Sequence, residues 1–294
     1  MEFQATPINQ GTITSASGVL AGATYAGMKT YAEDKLDLGL ILFSPGSTCA
    51  GVFTTNLVKS GSVVLTQKRV YEGNPRAVVV HSGIANAVVG EQGIKDAEET
   101  TRLGAEHIGL NPEEVLICST GIIGVELPMA LIRSNIGKIE LSDIDGNNVA
   151  KAILTTDTST KEIAIEIKFD NIRETPDIVI GGIAKGSGMI NPNMATMLAV
   201  LSTDAKIEKG FLQESLNQAV HTSFNAITID GDTSTNDTVL IFATGATGGD
   251  PITAEDPRSQ GFIKGLETVS TSTQAGLTSA TAVSKAVRSH GSAN

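Results

Sequence analysis

Residues 181–204 read GGIAKGSGMINPNMATMLAVLSTD, and this stretch decides the fold. The stretch begins with a glycine-rich segment that contains one lysine, Lys185. A Pro192-Asn193 turn follows, and then an apolar run from Met194 to Leu201. Closely spaced glycines let the backbone approach other groups, because no Cβ holds them apart. The apolar run predicts a buried helix or strand, and its pattern alone leaves that choice open.

One hydroxyl, that of Thr196, stands at the entry to the apolar run. Threonine is a common helix N-cap and most lysines lie at the surface, so the conservative interpretation is that Thr196 caps a helix and Lys185 is solvated. The alternative is that Thr196 is a covalent nucleophile activated by its own α-amine, which cleavage of the preceding bond would free. The small side chain of Ala195 suits such a cleavage. Spacing alone does not choose between the two.

The segment KGSGMINPNMATML, residues 185–198, resembles the signature of the ornithine acetyltransferase family, the bifunctional glutamate N-acetyltransferases of the cyclic arginine pathway. Members of that family cut themselves at an Ala–Thr bond, and the threonine becomes both the new N-terminus and the acyl-carrying nucleophile. The resemblance therefore implies cleavage at Ala195–Thr196 and Thr196 as the nucleophile. It also implies an α/β fold, a layered αββα sandwich as in self-cleaving acyltransferases and aminopeptidases.

Two further segments contain candidate site residues. From the residues alone, STGIIG at 119–124 is a strand-to-loop turn or a source of oxyanion donors, and TTDT at 155–158 is a capping cluster or a binding segment. Both segments resemble family motifs. That resemblance implies that Thr120 and Gly121 form an oxyanion hole, that Thr155 binds substrate with Thr156 close behind, and that Lys185 holds the α-carboxylate of an amino-acid substrate.

Other motifs are weaker or excluded. The carboxylates of DGDTSTND, residues 230–237, lack the order and the closing glutamate of a calcium loop, and GGIAKGSG lacks the Gly-Lys-Ser/Thr of a phosphate loop. Residues 223–237 resemble a family segment, but this chain has Ala226 at the position where the family usually has arginine. In HSGIANA, residues 81–87, His81 and Ile84 stand where the family has two asparagines, and we expect this change to alter packing or side-chain hydrogen bonds near the site. No metal or redox cofactor is expected.

Composition and charge narrow the function further. The chain has 294 residues, of which 40% are hydrophobic and 18% charged, and a net charge of −11 argues against binding to nucleic acid or to an anionic membrane. No apolar run approaches a membrane span and the first residues do not resemble a signal peptide, so we predict a cytoplasmic protein. Cys49 and Cys118 form no motif and are predicted to be small core residues.

Strands and helices alternate along the chain, which predicts one α/β body. Helices are predicted at 90–109, 147–154 and 208–221. Strands are predicted at 36–43, 49–53, 77–80, 115–118, 163–169, 178–180 and 238–244.

The resemblance covers about residues 12–268 and divides the chain at the predicted cleavage bond. Residues 1–195 form an α-chain segment and residues 196–268 the beginning of a β-chain segment. The Ser/Thr/Ala-rich residues 269–294 follow GLETV where the family continues into a GEGATK-type motif. We therefore expect a disordered tail and an incomplete C-terminal part of the sandwich.

The activity implied is transfer of an acetyl group from N-acetylornithine to glutamate through an acetyl-threonine, with acetyl-CoA as a further donor in bifunctional members. The assembly implied is a heterotetramer of two α/β pairs. Two alternatives stay open: an inactive remnant of such an enzyme, and a self-processing amide hydrolase or aminopeptidase.

Overall fold

The computed structural model describes residues 3–29, 35–157, 159–169, 176–186, 197–223 and 233–275. Within these ranges the strands are β1 Phe3–Pro7, β2 Val19–Thr24, β3 Leu38–Phe43, β4 Thr48–Phe53, β5 Ala77–Ile84, β6 Val115–Ile122, β7 Lys161–Phe169, β8 Ile178–Lys185, β9 Leu198–Thr203 and β10 Thr238–Ala243. The α-helices are α1 Gly61–Glu72, α2 Glu91–Ile108, α3 Met129–Asn135, α4 Gly146–Ala152, α5 Lys209–Thr222 and α6 Ser259–Ala275.

The strands form two sheets. One has the order β1-β7-β8-β9-β10-β4 and the other β2-β3-β5-β6. Each sheet contains one parallel pair, β9 with β10 and β5 with β6, and the other pairs are antiparallel. The described end of the apolar run, residues 198–201, therefore belongs to a strand, β9, in the middle of the larger sheet.

An apolar layer joins the two sheets. Val78, Val80 and Leu116 of the smaller sheet share one buried cluster with side chains of β8, β9 and β10 from the larger sheet. Within this cluster the rings of Phe43 and Phe242 stack with centroids 3.8 Å apart and planes 8° from parallel. This stack links β3 of one sheet to β10 of the other, so it sets the spacing of the sheets locally.

Helices cover the outer faces. The second apolar cluster places α5 and α6 against the far side of the larger sheet, and the third places α2 and α3 against the far side of the smaller one. Strand β5 is buried on both faces and so begins with four consecutive apolar residues, because Val79 faces α2 while Val80 faces the other sheet. These layers are the αββα sandwich that the resemblance implied, and the prediction is confirmed.

Helix α1 was not predicted from the sequence, although it protects an exposed strand edge. Its N-cap Ser60 accepts a hydrogen bond from the Val63 amide at 3.2 Å. The Thr66 hydroxyl then donates to the Ile117 carbonyl at 2.7 Å and accepts from the Ile117 amide at 2.9 Å. The side chain thereby satisfies both backbone groups of Ile117 at the free edge of β6.

Predicted element boundaries were mostly close to the observed ones. Helix α2 ends where Gly109 adopts the left-handed conformation, at φ 72°, as the sequence indicated. Helix α6 instead runs past the predicted start of the tail to Ala275, because Val269 lies in the apolar cluster on the larger sheet. Residues 276–294 lie outside the described residues. Cys49 and Cys118 are buried free thiols, as predicted.

None of the helices in the described part of the chain is long and apolar enough to cross a membrane.

Replacing Phe242 with alanine is expected to lower the free energy of unfolding by about 3–5 kcal/mol, because it removes the stacked ring and leaves a cavity between the sheets. The shift in the urea midpoint measures this loss. The control is Ile144→Ala, since the Ile144 side chain is 82% exposed and its truncation should cost little. Equal effects of the two substitutions would contradict the stack's role.

Candidate active site

The ends of three strands surround one cavity. Strands β5 and β6 run parallel and end together, with Gly83 opposite Gly121. Strand β8 of the other sheet ends at Lys185. The cavity measures about 470 Å³ and is lined by Gly83, Thr120, Gly121, Ile122, Thr155, Thr156 and Lys185.

Four of the residues that the sequence singled out therefore line one space, although they are far apart in the chain. Thr120 and Gly121 come from the end of β6, Thr155 from the loop after α4, and Lys185 from the end of β8. Their individual roles remain predictions. Ala195 and Thr196 lie outside the described residues, whereas Met197, the residue after the predicted nucleophile, is described and buried.

Two glycine backbones are in close contact at the wall of the cavity. A Cβ on Gly121 would lie 2.2 Å from the carbonyl carbon of Gly83, and Gly121 has a φ of +135° that side chains rarely allow. Gly83 is itself constrained by the carbonyl of Met28, 2.6 Å from its would-be Cβ. Position 121 therefore requires glycine, and the Gly121 backbone faces the cavity without a side chain over it.

Lys185 is a buried cation at the cavity wall. Only 4% of its surface is exposed, and burial lowers its pKa to about 8 although Asp157 and Asp237 raise it. An ammonium group this poorly hydrated gains from an anionic partner. The site can therefore attract a carboxylate, and that attraction weakens as pH rises through the pKa of Lys185.

Asp157 holds the chain that follows Lys185. Its Oδ1 accepts hydrogen bonds from the Gly186 amide at 2.9 Å and from Lys161 Nζ at 2.8 Å. Burial opposes ionisation of the carboxyl, but the bonds from Lys161 and Gly186 outweigh it and leave the pKa of Asp157 below its ordinary value. Sequence reasoning named the TTDT segment for its hydroxyls and gave this carboxylate no role.

Asp237 holds the chain next to the predicted nucleophile, and sequence reasoning also missed it. Its Oδ1 accepts from the Met197 amide at 2.9 Å. Burial raises its pKa to about 7, against the opposing effects of that amide, of the Ser234 hydroxyl and of Lys185. The signal available in the sequence was a carboxylate shortly before the apolar run from Val239 to Ala243.

His81 lies behind the cavity wall rather than in it. Its Nε2 is 2.7 Å from Ser119 Oγ, which is 2.5 Å from Ser62 Oγ. Complete burial lowers the pKa of His81 to about 4, so the imidazole is neutral at ordinary pH. The His81 side chain therefore takes part in the hydrogen bonding beside Thr120 and does not line the cavity. That it changes this bonding relative to the family stays a prediction.

Among the described residues, no three His, Cys, Asp or Glu side chains are grouped as a metal site would require. The expectation that no metal is needed stays a prediction.

The layers resemble those of the L-aminopeptidase D-Ala-esterase/amidase of Ochrobactrum anthropi, a variant of the Ntn hydrolase fold. The TM-score is 0.51 at 12% identity, over 93% of this chain and 87% of that one. At this identity the likeness concerns the fold alone. In fold, the chain is therefore an αββα sandwich like that of Ntn hydrolases, with a cavity at the ends of its strands.

Two closer comparisons give the family. The arginine biosynthesis bifunctional protein ArgJ of Lactococcus lactis is 49% identical over 236 residues, which is 80% of this chain and 58% of that protein. The structure of the ornithine acetyltransferase of Mycobacterium tuberculosis with ornithine has a TM-score of 0.58 at 31% identity, over 66% of this chain and all of that one. Residues 20–281 match the ArgJ family, and the chain belongs to it. The chain spans less than two thirds of the length of the curated relatives it matches.

Gly121→Ala is expected to destabilise the protein by at least about 2 kcal/mol, because the new Cβ meets the Gly83 backbone at an unfavourable φ. The urea midpoint measures the loss. Gly124→Ala is the matched control, since Gly124 also has a positive φ, 75°, but open space around its Cβ position. A loss no larger than that of the control would contradict the close-contact argument.

Asp237→Asn is expected to flatten the pH dependence of stability while keeping an oxygen that can accept from Met197. An acid whose pKa is raised by folding stabilises the fold most at pH values below its unfolded pKa, and this contribution is lost as pH rises through the folded value. For Asp237 that window runs from 3.8 to about 7. We therefore expect the Tm of the wild type, measured by thermal unfolding, to fall relative to the Tm of the variant as pH rises across this window. A constant difference in Tm would contradict the prediction.

Proposed function

We propose that the chain cleaves itself between Ala195 and Thr196, and that Thr196 then carries an acetyl group from N-acetylornithine to glutamate. One observation supports this above the others. In a chain of the ArgJ family, a single cavity collects the predicted oxyanion donors Thr120 and Gly121, the predicted substrate residue Thr155 and a buried cation, Lys185. The Mycobacterium tuberculosis relative is an ornithine acetyltransferase crystallised with ornithine.

The first half of the reaction forms an ester. The α-amine of Thr196 takes the proton of its own hydroxyl as Oγ attacks the acetyl carbonyl of N-acetylornithine. Thr120 and Gly121 stabilise the oxyanion of the tetrahedral intermediate, and such donors are worth about 3–4 kcal/mol each in acyl transfer. The amide C–N bond then breaks, the proton passes to the leaving nitrogen, and ornithine departs from the acetyl-threonine.

The second half reverses these steps with another amine. The amino group of glutamate attacks the ester carbonyl and gives up a proton, the C–O bond breaks, and the Thr196 hydroxyl recovers its proton. Lys185 holds the α-carboxylate of each amino acid in turn, and Thr155 contributes a hydroxyl beside it. Acetyl-CoA is a second donor in this scheme, and no metal or redox cofactor takes part.

The proposed assembly is a heterotetramer of two cleaved α/β pairs in the cytoplasm, with small amino acids as substrates and without nucleic acid or membrane partners. The described residues test none of these points. Size-exclusion chromatography with light scattering measures the assembly directly.

The test of the function begins with the intact mass of the purified chain. We expect fragments of 195 and 99 residues, the smaller beginning Thr196-Met197-Leu198. Thr196→Ala should stay whole and lose acetyl transfer altogether, because both reactions need the hydroxyl. The matched control is Thr222→Ala, which makes the same change at an exposed position of α5 and should cleave normally.

Three outcomes would contradict the proposal. A wild-type chain that stays whole favours the inactive remnant. Cleavage of Thr196→Ala at the same bond removes Thr196 as the nucleophile. Release of ornithine from N-acetylornithine at the same rate with and without glutamate favours the amide hydrolase.

A further inference from the structure

The candidate oxyanion residues and the chain that follows the candidate nucleophile belong to different sheets. Thr120 and Gly121 end β6 of the four-stranded sheet, whereas Met197 precedes β9 of the six-stranded sheet. A reaction that uses groups from both sheets requires a fixed distance between the Thr120–Gly121 end of β6 and the chain before β9. Misplacement by about 1 Å can lower the rate about a hundredfold. Phe43 and Phe242 set the sheet spacing elsewhere, on β3 and β10.

Asn236 is bonded to the wall that carries Thr120. Its Nδ2 donates to the carbonyl of Ser119 at 2.9 Å and to the carbonyl of Ala85 at 2.7 Å. Ser119 directly precedes Thr120, and Ala85 directly follows β5. One buried amide therefore joins the ends of both parallel strands that line the cavity.

Asp237, the next residue, is hydrogen-bonded to the chain that enters β9 of the larger sheet. Its carboxylate accepts from the Met197 amide at 2.9 Å, and the Thr238 amide donates to the Met197 carbonyl at 3.0 Å. Both backbone groups of Met197 are thus held by two consecutive residues. Asp237 is completely buried, so water does not compete for these bonds.

The segment that carries Asn236 and Asp237 is itself anchored. The Thr54 hydroxyl donates to the Ser234 carbonyl at 2.7 Å, and the Thr54 amide donates to the Asp237 carbonyl at 2.9 Å. The Ser60 amide donates to the Thr235 carbonyl at 3.0 Å. Residues 234–237 are therefore anchored to Thr54 and Ser60, independently of the bonds that Asn236 and Asp237 make to the strand ends at the cavity.

We propose that Asn236 and Asp237 are positioning residues that hold the backbone of Met197, the residue after the predicted nucleophile, at a fixed distance from Thr120 and Gly121. Asn236 acts through the carbonyls of Ser119 and Ala85, and Asp237 through the amide of Met197. The inference rests on the proposed function, since it assigns these residues to the self-cleavage and the acyl transfer at the same cavity. Neither residue needs to touch a substrate.

The test compares rates of self-cleavage in the full chain, followed by intact mass after synthesis in a cell-free system. Asn236→Leu removes both donated bonds at similar volume, and Asp237→Leu removes the bond to Met197. Each should slow cleavage at Thr196 at least about tenfold. Asp237→Asn keeps an accepting oxygen and should cleave within about threefold of wild type, a rescue that general loss of stability would not produce.

Asp204 provides the matched control. Its buried Oδ1 accepts from the Val179 amide at 2.7 Å, the same kind of bond, at the opposite end of β9 and away from the cavity. Asp204→Leu should lower Tm as much as Asp237→Leu and still cleave at the wild-type rate. Rates are compared at a temperature below the Tm of every variant.

Two results would overturn the inference while leaving the proposed function intact: wild-type cleavage rates in both Asn236→Leu and Asp237→Leu, or equal slowing in Asp204→Leu and Asp237→Leu. A wild-type chain that never cleaves at Thr196 overturns the proposed function, and the inference with it.

Discussion

The packing of two sheets across one apolar layer is the constraint on which the rest of the structure depends. The layer includes the parallel stack of Phe43 on Phe242, one ring from each sheet. Because the layer holds the sheets face to face, the ends of β5 and β6 stand opposite the end of β8. The cavity exists only where those strand ends meet, so apolar packing determines where polar chemistry can take place.

The polar groups at that cavity are there at an energetic cost. Lys185 is almost completely buried, and the nearby carboxylates of Asp157 and Asp237 only partly offset its loss of hydration. Removing ions from water is expensive, so such an arrangement contributes little to stability, which agrees with the carboxylate-binding role that we propose for Lys185. Asp157 and Asp237 also hold backbone, at Gly186 and Met197. The same side chains therefore shape the site and tune its charge.

The sequence predicted the elements whose patterns are local. Helix α2 shows charge and apolar periodicity and a terminal glycine, and β3, β7 and β10 are short apolar or alternating runs. Helix α1 was missed because its opening, Gly-Ser-Val-Val, has poor helix propensity, which packing against β6 overrides. The start of the tail was misplaced because Val269 is held by the apolar surface of the larger sheet, which no local pattern reveals.

The sequence by itself determined the α/β class, the αββα sandwich through family resemblance, and the candidates Thr120, Gly121, Thr155, Lys185 and Thr196. It could do so because these residues stand in long motifs that are contiguous along the chain. Only the tertiary structure decided that four of them share one cavity, that His81 is a neutral residue behind its wall, and that Asn236 and Asp237 bond to opposite walls. These relations depend on hydrogen bonds and burial between residues as many as 151 positions apart, and only folding brings such residues together.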